Sequence, residues 1–157
     1  MDNFNDEHDY DAFPELTNAQ IAEIGISSPH EQIQHNFRAV VIRVHDGDTV
    51  TLRCDFRDFD FPLRLSDIDA PELNTGVPGQ EARDYLKGVI EGEEVDIVID
   101  YNNRVDKYGR LLGNIVIGGQ DMSEVMMIMG FAKPFENRYE EDIPDFEKQL
   151  GEYKKWH

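Results

Sequence analysis

The chain has 157 residues, enough for one ordinary domain with a real hydrophobic core. It carries 33 acidic and 15 basic side chains, a net charge of −18, and its hydrophobic fraction of 39% is that of a soluble, folded chain. No apolar run reaches the roughly 18 residues of a membrane helix, and the single Cys54 excludes an internal disulfide.

Charge is spread unevenly. Residues 1–37 hold eight of the acids and none of the bases. The start is acidic where a secretory leader would be basic and then apolar, so a cytoplasmic or otherwise intracellular location and a monomer are expected. An acidic surface repels nucleic acid, whose binding uses Lys and Arg to displace counterions.

In chain order, residues 1–16 read as an acidic tail broken by Phe4, Tyr10 and Phe13. The tail is either disordered or an arm that docks on a protein partner or on the chain's own cleft. Thr17 with Gln20 three residues on predicts a capped helix over 17–25, stopped by Gly25. Residues 27–35 read as a linker, which makes 1–36 a tail and linker and 37–157 the folded domain. Val40, Ile42 and Val44 alternate with Val41, Arg43 and His45 in a first strand. Asp46-Gly47-Asp48 supplies the turn, with Gly47 free to adopt positive φ. Strands follow through Val50, Leu52 and Cys54, and through Phe61, Leu63 and Leu65.

After a loop over 74–79, helical spacing predicts a helix from Gln80 to Ile90. Val95, Ile97 and Ile99 form a fourth strand and residues 111–117 a fifth, ended by Gly118-Gly119. Met122 to Met129 reads as a buried helix and residues 146–156 as an amphipathic one. Three strands, a helix, two strands and two further helices give a mainly β, α+β fold: a five-stranded Greek-key barrel of the OB type with about three helices.

Three segments carry chemistry. His45-Asp46-Gly47-Asp48-Thr49 lies between the first two strands, and Arg64 to Glu72 leaves the third. Arg104-Val105-Asp106-Lys107-Tyr108-Gly109-Arg110 precedes the fifth. Each alone is an ordinary turn or capped loop. Together, Asp48 and Asp69 can meet at one end of an antiparallel meander and hold Ca2+, or Mg2+ or another hard divalent cation, with Asp46 behind them. The scattered histidines argue against zinc. Glu72, stiffened by Pro71, can take a proton from a water attacking a phosphodiester. Arg64 and Arg110 match the equatorial oxygens of a phosphoryl transition state.

From residue 37 to 156 these motifs resemble the staphylococcal-nuclease-like (thermonuclease) family. The resemblance implies an OB-type barrel and calcium-dependent hydrolysis of DNA and RNA that leaves 3′-phosphate ends. It also implies that the backbone carbonyl of Ala70 is a metal ligand and that Lys107 and Tyr108 touch a terminal phosphate of the bound nucleotide. Three departures stand out: the acidity, a short lysine-free loop after Glu72, and no clean match over 133–139 to the family's base-stacking tyrosines, where Phe135 or Tyr139 would substitute. The alternative is a catalytically weak or inactive nuclease-like module that binds nucleic acid or protein.

Overall fold

The computed structural model describes residues 14–21 and 30–135. The expected helix over 146–156, Tyr139 and the tail before residue 14 lie outside them. The described residues divide into two units, one comprising 36–99 and 113–135, the other 14–21, 30–35 and 100–112.

The larger unit is the barrel. Its strands are β1 (Phe37–Asp46), β2 (Thr49–Arg53), β3 (Phe61–Leu65), β5 (Glu94–Val98) and, from Gly113 on, β6 (Leu111–Ile117). They run in the order β3-β2-β1-β5-β6, and pairing of β3 with β6 closes the ring. Closure removes the free strand edges that an open five-stranded sheet would expose. Alternating side chains fill the interior. Val50, Leu52, Phe61, Leu63, Leu65, Val95, Ile97 and Ile115 are each no more than 1% exposed.

β1 departs from simple alternation. Ala39 and Val41 face inward on its first half, while Val40 and Ile42 are half-buried. The register against β2 slips between Val41 and Arg43 and again between Val44 and Asp46. Each bulge adds one residue and moves the inward phase, so Val44, His45 and Asp46 are all buried. The strand therefore bends where it delivers the Asp46-Gly47-Asp48 turn.

Helix α1 (Val77–Ile90) begins three residues earlier than its apolar spacing predicts. Pro78 sits in the first turn, where a missing N–H costs no hydrogen bond. Gly79, Ala82, Leu86 and Ile90 form its buried face. The Gly118-Gly119 pair, with φ of 57° and 76°, turns β6 back into the short β7 (Gln120–Asp121). Asp121 then caps α2 (Met122–Ile128) through Ser123 N–H at 2.8 Å. Met122 and Met126 pack in the core, but Met129, expected there, is 52% exposed just past the helix end. Two two-residue strands, β4 (Ile68–Asp69) and β8 (Lys133–Pro134), pair antiparallel beside the barrel.

In the smaller unit, Thr17 and Gln20 form the expected reciprocal capping box, with Thr17 N–H on Gln20 Oε1 at 2.9 Å and Gln20 N–H on Thr17 Oγ1 at 3.1 Å. Gln32 ties residues 14–16 to 30–33: its Oε1 accepts from Leu16 N–H, and its Nε2 donates to the Pro14 carbonyl.

Candidate active site

The barrel unit brings Asp48, Arg64 and Asp69 together. Thr49 lies opposite Arg64 in the β2–β3 ladder, and Leu65 N–H donates to the Asp48 carbonyl at 2.8 Å. The Asp46 carboxylate accepts from Asp48 N–H at 3.0 Å and fixes the turn. Gly47 matters here for space. Its φ is not positive, contrary to the expectation from its sequence context. A Cβ at Gly47 would fall 2.7 Å from Ala70 Cβ and 2.9 Å from Ala82 Cβ. Only glycine lets the turn press against the segment that follows Asp69.

Asp48 and Asp69 converge on one nitrogen. Arg64 Nη2 lies 3.4 Å from Asp48 Oδ2 and 3.4 Å from Asp69 Oδ1, both long for hydrogen bonds. Arg64 Nη1 is held more tightly, donating to the carbonyls of Leu65 at 2.7 Å and Ile68 at 3.1 Å. The Phe135 ring covers the guanidinium, its centroid 4.9 Å from Cζ. Backbone carbonyls and an aromatic face therefore anchor the arginine, while its link to the carboxylates is loose. Ala70 N–H donates to Asp48 Oδ2 at 2.9 Å.

The acceptors at Arg64 Nη2 are the carboxylate oxygens of Asp48 and Asp69. Among the described residues no three Asp, Glu, His or Cys side chains gather as a complete metal cluster. Two carboxylates sharing one positive group fit a hard cation that completes its coordination with water or a carbonyl, and they do not fit zinc.

Glu72 is exposed, directly after Pro71. Its carbonyl accepts from Thr75 N–H at 3.0 Å and Thr75 Oγ1 at 2.5 Å, which starts the 3-10 turn Leu73–Thr75. The first turn of α1 lies against the same carbonyl, and a Cβ at Gly79 would collide with the Glu72 oxygen. Asp67 is a bracket: it accepts from Asn114 Nδ2 at 2.8 Å, and its carbonyl accepts from Phe135 N–H at 3.0 Å.

The smaller unit holds Lys107, Tyr108 and Arg110 in one turn, closed by Gly109 at φ 85°. Its organiser is Asp106, 1% exposed. Asp106 Oδ1 accepts from the N–H groups of Tyr108 and Arg110, each at 2.9 Å, and Oδ2 from Arg110 Nε at 2.8 Å. The Tyr108 ring lies 5.2 Å from Lys107 Nζ and 5.5 Å from Arg110 Cζ. Arg104, fully buried, opens the segment. It donates to the carbonyls of Leu16 and Ile33, each at 2.8 Å, and to Glu15 Oε2 at 2.9 Å.

Neither Asp106 nor the Glu15–Arg104 pair stood out in the sequence. An aspartate two residues before an N–H it can accept, and four before an arginine around a Gly turn, was the available signal for Asp106. Nothing local signals a pairing across 89 residues.

The chain has relatives among known proteins. The family model described as staphylococcal nuclease homologue matches residues 62–155. A micrococcal nuclease of Shigella flexneri is 33% identical over 129 residues, covering 76% of this chain and 68% of that protein. An uncharacterized protein of Bacillus anthracis is 31% identical over 96 residues, 58% of this chain and 44% of its own length. The staphylococcal-like nuclease CAN1 of Arabidopsis thaliana is 39% identical over 72 residues, 46% of this chain but 21% of the plant protein. The chain thus spans less than half of two of these three relatives.

Proposed function

This chain belongs to the staphylococcal nuclease homologue family, and from that premise we propose that it hydrolyses phosphodiester bonds of DNA, RNA or both, leaving 3′-phosphate ends. The observation that carries the reading is the convergence of Asp48 and Asp69 on Arg64 Nη2, beside a guanidinium already anchored by two backbone carbonyls. That is a place for positive charge next to a phosphate-binding group.

Asp48 and Asp69, with the Ala70 carbonyl, would hold a calcium-type cation. Such an ion polarises a phosphoryl oxygen and neutralises developing charge. Glu72 accepts the proton of the attacking water. Water adds to phosphorus, the P–O5′ bond breaks, and the phosphate stays on the 3′ oxygen while the 5′ oxygen takes a proton from solvent water and leaves as an alcohol. Arg64 keeps Nη1 on its carbonyls and turns Nη2 to the phosphate. Arg110 supplies the second guanidinium, and Lys107 and Tyr108 bind a neighbouring phosphate.

Single-stranded DNA and RNA, incubated with the protein in calcium, in magnesium and in chelator, test this. Cation-dependent cleavage is expected, with products that 3′-phosphatase treatment makes extendable by a polymerase. Glu72→Gln should lower kcat by about 10²–10⁴-fold, the contribution of a positioned general base. Wild-type turnover in that variant removes Glu72 from its role.

The net charge of −18 favours a second reading, a binding module on the same barrel. It predicts no hydrolysis with either cation.

A further inference from the structure

The turn from Leu65 to Ile68 wraps the Arg64 guanidinium, with the carbonyls at its two ends accepting from Nη1 at 2.7 and 3.1 Å. Asp67 stands at the tip of that turn, and the roles above leave it out. We propose that Asp67 and Asn114 are positioning residues, which set the direction of Arg64 and so how well its guanidinium meets the phosphate in the transition state. The proposal rests on the nuclease reading.

Arg64 Nη2 has only contacts of 3.4 Å on the carboxylate side, so its aim must come from elsewhere. Aim matters for a donor to developing charge, since an error of 1 Å can cost about 10²-fold in rate. Asp67 supplies it in two ways. Its carboxylate accepts from Asn114 Nδ2 at 2.8 Å, which ties the tip of the turn to β6. Its carbonyl accepts from Phe135 N–H at 3.0 Å, which fixes the residue just past β8. The Phe135 ring lies against the guanidinium that the same turn encloses. One residue thus governs two restraints on Arg64, the turn around it and the ring against it.

Asn114 is itself held. It stands opposite Val98 in the β5–β6 ladder, so its backbone belongs to the barrel wall. A carboxylate can only accept, so the amide must present its nitrogen to Asp67. Its Oδ1 then faces the hydroxyls of Ser66 at 3.3 Å and Ser123 at 3.2 Å. Turning the amide over would set oxygen against carboxylate. The neighbouring residue repeats the tie in backbone, with Ser66 N–H donating to the Gly113 carbonyl at 3.1 Å. Through two side chains the direction of Arg64 is therefore referred to the barrel wall and to the first turn of α2.

The test has a spectroscopic arm and a kinetic arm. The Arg64 Nε–H signal in the NMR spectrum, assigned by its loss in Arg64→Lys, should be displaced by the Phe135 ring current. Asp67→Ala and Asn114→Ala should each move it toward the position of a solvated arginine. Asp67→Asn, whose amide oxygen still accepts from Asn114 Nδ2, should leave it near wild type. Should Asn114→Ala fail to fold, the isosteric Asn114→Asp breaks the same bond by setting carboxylate against carboxylate. In cleavage of single-stranded DNA, Asp67→Ala and Asn114→Ala should lower kcat by about tenfold with KM little changed, a misplacement short of 1 Å. Asp67→Asn should restore kcat. In an Arg64→Ala background, adding Asn114→Ala should cost nothing further, because residues that act through one another are not additive. An unmoved Arg64 signal, losses that multiply in full, or a kcat in Asp67→Asn as low as in Asp67→Ala would each overturn the positioning role in a chain that still cleaves. A wild-type chain that cleaves no single strand overturns the nuclease reading, and the catalytic role of this pair with it.

Discussion

The two segments that carry the candidate chemistry are held in opposite ways. The turn from Arg104 to Arg110 is fixed from within by buried carboxylates. Asp106 receives three donors, and Arg104 sits in a pocket of two carbonyls and Glu15. The stretch from Arg64 to Glu72 is firm at its start and loose at its end. Arg64 is anchored by backbone, its contacts to Asp48 and Asp69 are 3.4 Å long, and the Asp69 side chain is 46% exposed. A group that must present fixed charge to a phosphate gains from being preorganised. Carboxylates that must exchange an arginine for a cation gain from weak prior bonds. The contrast suits the proposed division between phosphate binding and cation binding.

Breaking the rigid turn should have a large effect. Arg110→Ala is expected to lower kcat by about 10²–10³-fold, the typical loss for one transition-state donor. Arg110→Lys should recover little of it, because an ammonium cannot both hold Asp106 and present a planar fork. Full activity in Arg110→Lys would show that point charge suffices and that the rigidity of the turn has no catalytic purpose.

Next in size is Arg104→Met. It leaves Glu15 buried at 2% exposure without its cation and strips two carbonyls of their donors. Breaking a buried pair from one side costs about 3–5 kcal/mol, read as a lower urea midpoint. Glu15→Gln should cost less, since an amide oxygen still accepts from Arg104. An unchanged midpoint for Arg104→Met would mean that Glu15, Leu16 and Ile33 do not hold the turn.

Much of this was legible in the sequence. Alternation placed the apolar interior of β2, β3 and β5, because a closed barrel buries one face of each regularly paired strand. Asp48, Arg64 and Asp69 were legible as a group because two adjacent antiparallel strands must bring a turn and a strand end together. The phase of β1 was not, since a bulge inserts a residue without changing composition. The roles of Gly47 and Gly79 were hidden for a related reason. Sequence marks glycine as conformational freedom, whereas both serve by what they lack: a Cβ that would strike Ala70 or the Glu72 carbonyl. The pairing of Arg104 was not legible because its partners lie 71 to 89 residues away.

The smallest expected effect probes the loose segment. Gly79→Ala adds one methyl group where α1 meets the Glu72 backbone, and the atom it would strike is a carbonyl oxygen rather than a movable side chain. The helix or the Pro71-Glu72 segment must shift. Overpacking of this kind costs about 1–3 kcal/mol, and α1 is pinned on its other side by Ala82, Leu86 and Ile90. The shift therefore falls on the Pro71-Glu72 segment, where the Glu72 side chain is exposed. Displacing a general base by a fraction of an ångström should lower kcat by about tenfold, less than the 10²-fold that a 1 Å error can cost. KM should stay near wild type, because Lys107, Tyr108 and Arg110 belong to the other segment. A variant that loses stability but keeps its kcat would mean that the position of Glu72 is set by the substrate and not by the fold.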